Sequence, residues 1–137
     1  MSIYLDTSVV MSFFIRDDHA GAVRSWAETG PDVAVSDWTA TEFTSALSHY
    51  VRRDALSEGE REKIEQAFDR WSARRAVLEI DRERFAEARA LMRSHRRLRA
   101  PDALHLAIAR HSNLALATLD QDMRDAAIAE GLEVIRL

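Results

Sequence analysis

Ile3-Tyr4-Leu5-Asp6-Thr7-Ser8-Val9-Val10 is the stretch on which the fold turns. Residues 2–5 read as a short strand, and the apolar period then changes with no linker between. Val9, Val10, Phe13 and Phe14 recur at helical spacing, so residues 7–15 read as a helix with one apolar face. The same change of period recurs where Val33-Ala34-Val35-Ser36 precedes the helix of Glu42, and where Leu114 to Leu119 precedes Asp120. Strands that run straight into helices build parallel α/β sheets.

Working outward, helices are expected over 19–28, 38–53, 57–73, 81–97, 101–111 and 121–130, with further strands at 77–80, 115–118 and 133–136. Ser57-Glu58-Gly59-Glu60 has the form of a capping box, Asp81 is placed to cap, and Pro101 suits a first helical turn. Ala103 to Ala109 is apolar nearly all round, so the 101–111 helix should be central and buried. The chain lacks repeats and linkers, and 1–137 is expected to form one α/β domain. Its sheet should be mostly parallel, with four to five strands covered by helices.

Composition narrows the function. With no cysteine, the 137 residues exclude disulfides, thiolate zinc sites and a cysteine nucleophile. No apolar run approaches a membrane span, and Asp6 interrupts any signal-peptide core, so a cytoplasmic protein with no membrane contact is expected. A net charge of −4 argues against a generic DNA- or membrane-coating role. Locally the balance reverses, because Arg93, Arg96, Arg97 and Arg99 crowd one segment. Arginine forks suit phosphate, and Arg96, Arg97 and Arg99 are candidate RNA contacts; solvated helix faces paired with Glu are the plainer reading.

Asp6, Glu42, Asp102 and Asp120 come from four segments, each expected at the carboxyl edge of the sheet, where open α/β folds bind ligands. Four carboxylates there would repel unless a cation sat among them, which points to a magnesium-dependent site acting on phosphate esters. Taken singly, Asp6 and Asp120 could be helix caps, and Asp102 could simply favour a helix dipole. Glu42 borders an apolar stripe, where an unpartnered carboxylate is costly. Asp122 is a possible alternative to Asp120, and Thr7, Ser8, Ser36 and Thr118 could orient a carboxylate or a bound water. His105 lies one turn after Asp102 and could bond it, although a satisfied core histidine is the simpler expectation.

The stretches Ile3-Tyr4-Leu5-Asp6-Thr7-Ser8, Thr41-Glu42-Phe43, Arg99-Ala100-Pro101-Asp102-Ala103-Leu104-His105-Leu106-Ala107 and Ala117-Thr118-Leu119-Asp120 resemble the motifs of the PIN-domain family. Within it they most resemble VapC-type toxins of toxin–antitoxin pairs. The resemblance implies a three-layer α/β/α sandwich and Mg²⁺ or Mn²⁺ held by the acids. It also implies endoribonuclease activity on a structured RNA such as transfer RNA, or on ribosomal or messenger RNA. A homodimer and a small VapB-like antitoxin, whose C-terminal segment blocks the site, are implied as well. The aromatic content from Trp38 through Tyr50 to Trp71 suggests that the dimer covers exposed rings there.

Two other functions fit parts of the pattern. Aspartyl-phosphate transfer would also place an Asp after strand one, but it needs a lysine near a later strand. The single lysine, Lys63, falls in an expected surface helix. A non-catalytic RNA-binding or regulatory module would use the acids as caps alone.

Overall fold

The computed structural model describes residues 2–137. Its sheet is made of β1 (Ile3–Leu5), β2 (Val33–Ser36), β3 (Ala76–Leu78) and β4 (Ala115–Ala117), in the order β3-β2-β1-β4. Every pairing is parallel, with Tyr4 opposite Ala34 on one side and Leu116 on the other. Seven helices complete the described chain: α1 (Thr7–Phe14), α2 (Ala20–Ala27), α3 (Asp37–Arg52), α4 (Glu58–Ser72), α5 (Arg82–Ser94), α6 (Ala100–His111) and α7 (Gln121–Ala129).

Strand alternation sorts side chains into two cores. Tyr4 and Leu116 face Ala88 and Leu91 of α5, the Ala103–Ala109 run of α6 and Met123 of α7. Leu5, Val33, Val35 and Ala117 face Val9 and Val10 of α1, Phe43 and Leu47 of α3 and Phe68 of α4. Helices therefore cover both faces, and three layers result. Ala103 through Ala109 is buried throughout, as an all-round apolar helix requires.

Strand order fixes where a ligand can sit. From β1 the chain moves outward to β2 and β3, then crosses back to add β4 on the other side of β1. The helix after β1 lies on one face and the helix after β4 on the other, which opens a crevice outside the carboxyl ends of these two strands. Asp6 and Thr118 stand at the floor of that crevice.

Three expectations are corrected. Residues 133–136 do not form a fifth strand: Leu116 and Val134 make one parallel bridge, held by Leu116 N–H to Glu133 O and Ile135 N–H to Leu116 O. A three-residue β4 offers too short an edge for more. The helix begun at Asp81 stops at Ser94, because His95 turns extended and Leu98 leaves the helix to plug the core. The aromatic rings between Trp38 and Trp71 are also largely consumed within the chain. Phe43 and Phe68 stack at 4.4 Å, and Phe14 packs edge-on against both and against Trp71. The large apolar residues left exposed among the described ones are Val77, Phe85 and Ile128. No described helix is long and apolar enough to cross a membrane.

Candidate active site

Asp6 is the N-cap of α1 and also the innermost acid of the crevice. Its Oδ1 accepts from the Val9 amide at 3.1 Å and the Ser8 hydroxyl at 2.6 Å, while its Oδ2 accepts from Thr118. Thr118 in turn accepts from the Asp120 amide at 3.0 Å, and Ser8 from the Leu119 amide at 3.2 Å. These bonds lace the ends of β1 and β4 together across the switch point. Burial pushes the Asp6 carboxyl above its ordinary value, and the Ser8 and Thr118 hydroxyls only partly oppose this.

Asp120 caps α7 through the Met123 amide at 2.7 Å, leaving its second oxygen turned toward the crevice. Asp102 stands in the first turn of α6 with a side chain 14% exposed. Burial and the charge of Asp120 raise its carboxyl, and Asp6 adds to the rise against the opposing Arg99. Asp102 is thus near enough to be repelled by both Asp120 and Asp6.

Arg99 answers that repulsion. Its Nε and Nη2 lie 3.2 Å from Asp102 Oδ2, and its Nη2 lies 4.0 Å from Asp120. The early end of α5 makes this reach possible, since the 95–99 segment then descends to the acidic edge. Arg96 and Arg97 remain exposed on the same segment. Asp122 points outward, with a side chain 42% exposed and 3.8 Å from Arg97.

Glu42 enters from α3, whose start is set by the reciprocal Ser36–Thr39 capping box. Its Oε1 accepts from the Thr7 hydroxyl at 2.8 Å and from His105 Nε2. Burial alone would raise this carboxyl, but the bond and charge of His105, with help from Thr7 and Arg99, bring it below its ordinary value. His105 bonds Glu42 rather than Asp102, and it is a fully satisfied core histidine. Its Nδ1 lies 2.7 Å from the Tyr4 hydroxyl, itself 2.8 Å from Ser36 Oγ. Tyr4 escaped notice in the sequence, although a phenol in a buried strand demands a partner. Alternation put it on the α6 face, opposite Leu5.

The donor set is oxygen-rich and hard: carboxylates and hydroxyls, no thiolate, and an imidazole committed on both nitrogens. It suits Mg²⁺ or Mn²⁺ better than zinc. Among the described residues, no three Asp, Glu or His side chains stand close enough together to hold one ion.

An α/β sheet with acids at this switch point defines a class, and a family model places the chain in it. The PIN domain model matches residues 3–129, and the chain belongs to that family. Ribonuclease VapC46 of Mycobacterium tuberculosis is 31% identical over 137 residues, spanning 98% of this chain and 96% of the relative. The crystal structure of VapC20 from the same organism, a sarcin–ricin loop cleaving toxin, superposes with a TM-score of 0.74 at 23% identity, covering 98% and 99% of the two chains. A toxin–antitoxin complex from Klebsiella pneumoniae superposes at 0.66 with 21% identity, covering 88% of each. The structural likenesses carry the fold.

Proposed function

We propose that the chain is a VapC-type toxin, an endoribonuclease dependent on Mg²⁺ or Mn²⁺, in which Asp6, Glu42, Asp102 and Asp120 hold the cation. The observation that carries this reading is Arg99 laid across Asp102 and Asp120, with Asp6 close enough to act on Asp102 and Glu42 close enough to be lowered by Arg99. The bound ion would supply a polarised water as nucleophile and neutralise charge building on the phosphate. The chain's own part is to hold the carboxylates: Ser8, Thr118 and the Val9 amide orient Asp6, while Thr7 and His105 orient Glu42. Arg96 and Arg97, exposed on the segment leading to Asp102, suit the RNA backbone. Asp120 serves better than Asp122, which is turned to Arg97.

The ribonuclease relative supports RNA as substrate, and the sarcin–ricin loop toxin supports a structured one. The Klebsiella complex supports a VapB-like antitoxin, which would bring a basic side chain to the place Arg99 holds. Exposed Phe85, beside Trp38, Met92 and Leu104, supports a homodimer through α5 and α6 rather than through the α3–α4 rings. We read residues 1–137 as one domain acting in the cytoplasm.

A capping role explains Asp6 and Asp120 but neither Glu42 nor Asp102, which cap nothing. Aspartyl-phosphate chemistry is disfavoured because the single lysine, Lys63, is exposed on α4. Sequencing of 5′ ends after induced expression of the parent and of Asp102→Asn tests the proposal. New ends at a few RNA sites with the parent alone are expected, and identical profiles would refute it.

A further inference from the structure

The placement of Glu42 depends on a buried chain of side chains. Ser36, Tyr4 and His105 are each at most 1% exposed, so each polar atom must find its partner inside the protein. Donor counting then orients the chain. The Thr7 hydroxyl has one proton and gives it to Glu42, so its contact with His105 Nε2 at 3.1 Å requires the ring nitrogen to donate. Nε2–H therefore points at both Glu42 and Thr7. Nδ1 is held in turn by the Tyr4 hydroxyl at 2.7 Å. The Tyr4 oxygen lies 2.8 Å from Ser36 Oγ. An unbroken chain of buried side chains thus runs from Ser36 through Tyr4 and His105 to Glu42.

We infer that Tyr4 and His105 are positioning residues, which hold the Glu42 carboxylate in a single orientation at the edge of the crevice. The link from this orientation to cation binding rests on the nuclease reading above; the orientation itself does not. The members of the chain come from three elements, with Tyr4 on β1, Ser36 at the β2–α3 junction and His105 on α6. Glu42 is thus referenced to the same strand that leads into Asp6. Partners that fix a ligand in this manner change metal affinity by about 10–100-fold when removed.

Two measurements test the inference on the full chain. In metal-free protein, long-range ¹H–¹⁵N spectra should show His105 protonated at Nε2, and side-chain ¹³C spectra should show one Glu42 rotamer. Tyr4→Phe, which keeps the ring and its packing, should disturb the His105 signals and average the Glu42 rotamer. An unprotonated Nε2 in the parent, or Glu42 signals unmoved by Tyr4→Phe, would overturn the inference. In the second measurement, titration with Mn²⁺ alone should give about tenfold weaker binding to Tyr4→Phe than to the parent. His105→Gln, whose amide can still donate to Glu42, should keep more Mn²⁺ affinity than His105→Leu. Equal affinities across the set would remove the positioning role. A parent that binds no Mn²⁺ would refute the metal reading instead, and the metal-free spectra would still decide the orientation.

Discussion

Arg99 and Asp102 form an ion pair at 3.2 Å across the first turn of α6, with the guanidinium extended toward Asp120. The side chain of Arg99 is 75% exposed, so water and salt screen the pair and it can open at little cost. On the proposed reading, the guanidinium supplies the positive charge that a bound cation would bring to these acids.

Arg99→Gln should accordingly make the metal-free protein less stable and its response to Mg²⁺ larger. The acids lose their internal cation in the first state and a competitor in the second. Melting curves with chelator and with Mg²⁺ check this. A smaller Mg²⁺-induced rise in Tm than in the parent would contradict the competition.

Asp120 and Asp122 should behave differently. Asp120→Asn should weaken the Mg²⁺ response, while its amide oxygen can still cap α7. Asp122→Asn should leave that response as in the parent, because its carboxylate faces Arg97 and solvent. Isothermal titration of both variants separates the two acids, and the reverse ranking would exchange their roles.

The pH dependence of stability in chelator has a definite sign. Burial raises the carboxyls of Asp6 and Asp102 above their ordinary 3.8, so the folded chain keeps those protons to higher pH than the unfolded chain. Stability from these groups then falls as pH rises from that value through the folded pKa. Glu42 acts oppositely: its contribution is present above its ordinary 4.5 and is lost as pH falls through its lowered folded value. Above the ordinary value of Glu42 only the two raised acids still titrate, so Tm should decline as pH rises through their folded values. Asp6→Asn should flatten the decline, and a profile identical to the parent's would show that Asp6 is not the source.

The junction acids and the α/β alternation were legible because they depend on local period. Asp6 follows a three-residue strand, and Asp102 follows a proline at a helix start, so their placement needed no long-range knowledge. The position of Arg99 did not follow from the sequence. It depends on α5 ending at Ser94, and nothing local marks that end until Leu98 is seen filling the core. The Tyr4–His105–Glu42 chain was equally hidden, since its bonds join residues 101 and 63 positions apart. The spurious fifth strand has a different cause. Glu133-Val134-Ile135-Arg136 reads as a strand, but only one residue pair finds an edge to bridge.

The central claim is that the carboxylates at the β1–β4 switch point hold a cation that hydrolyses RNA. The most direct measurement is the rate of RNA cleavage by purified parent and purified Asp102→Asn, each with Mg²⁺ and with EDTA. A metal ion stabilises such a transition state by several kcal/mol, and each 1.36 kcal/mol is a factor of ten. The parent should cleave only with Mg²⁺, and Asp102→Asn should be slower by about three orders of magnitude. Parent activity that survives EDTA, or an Asp102→Asn rate close to the parent's, would contradict the claim.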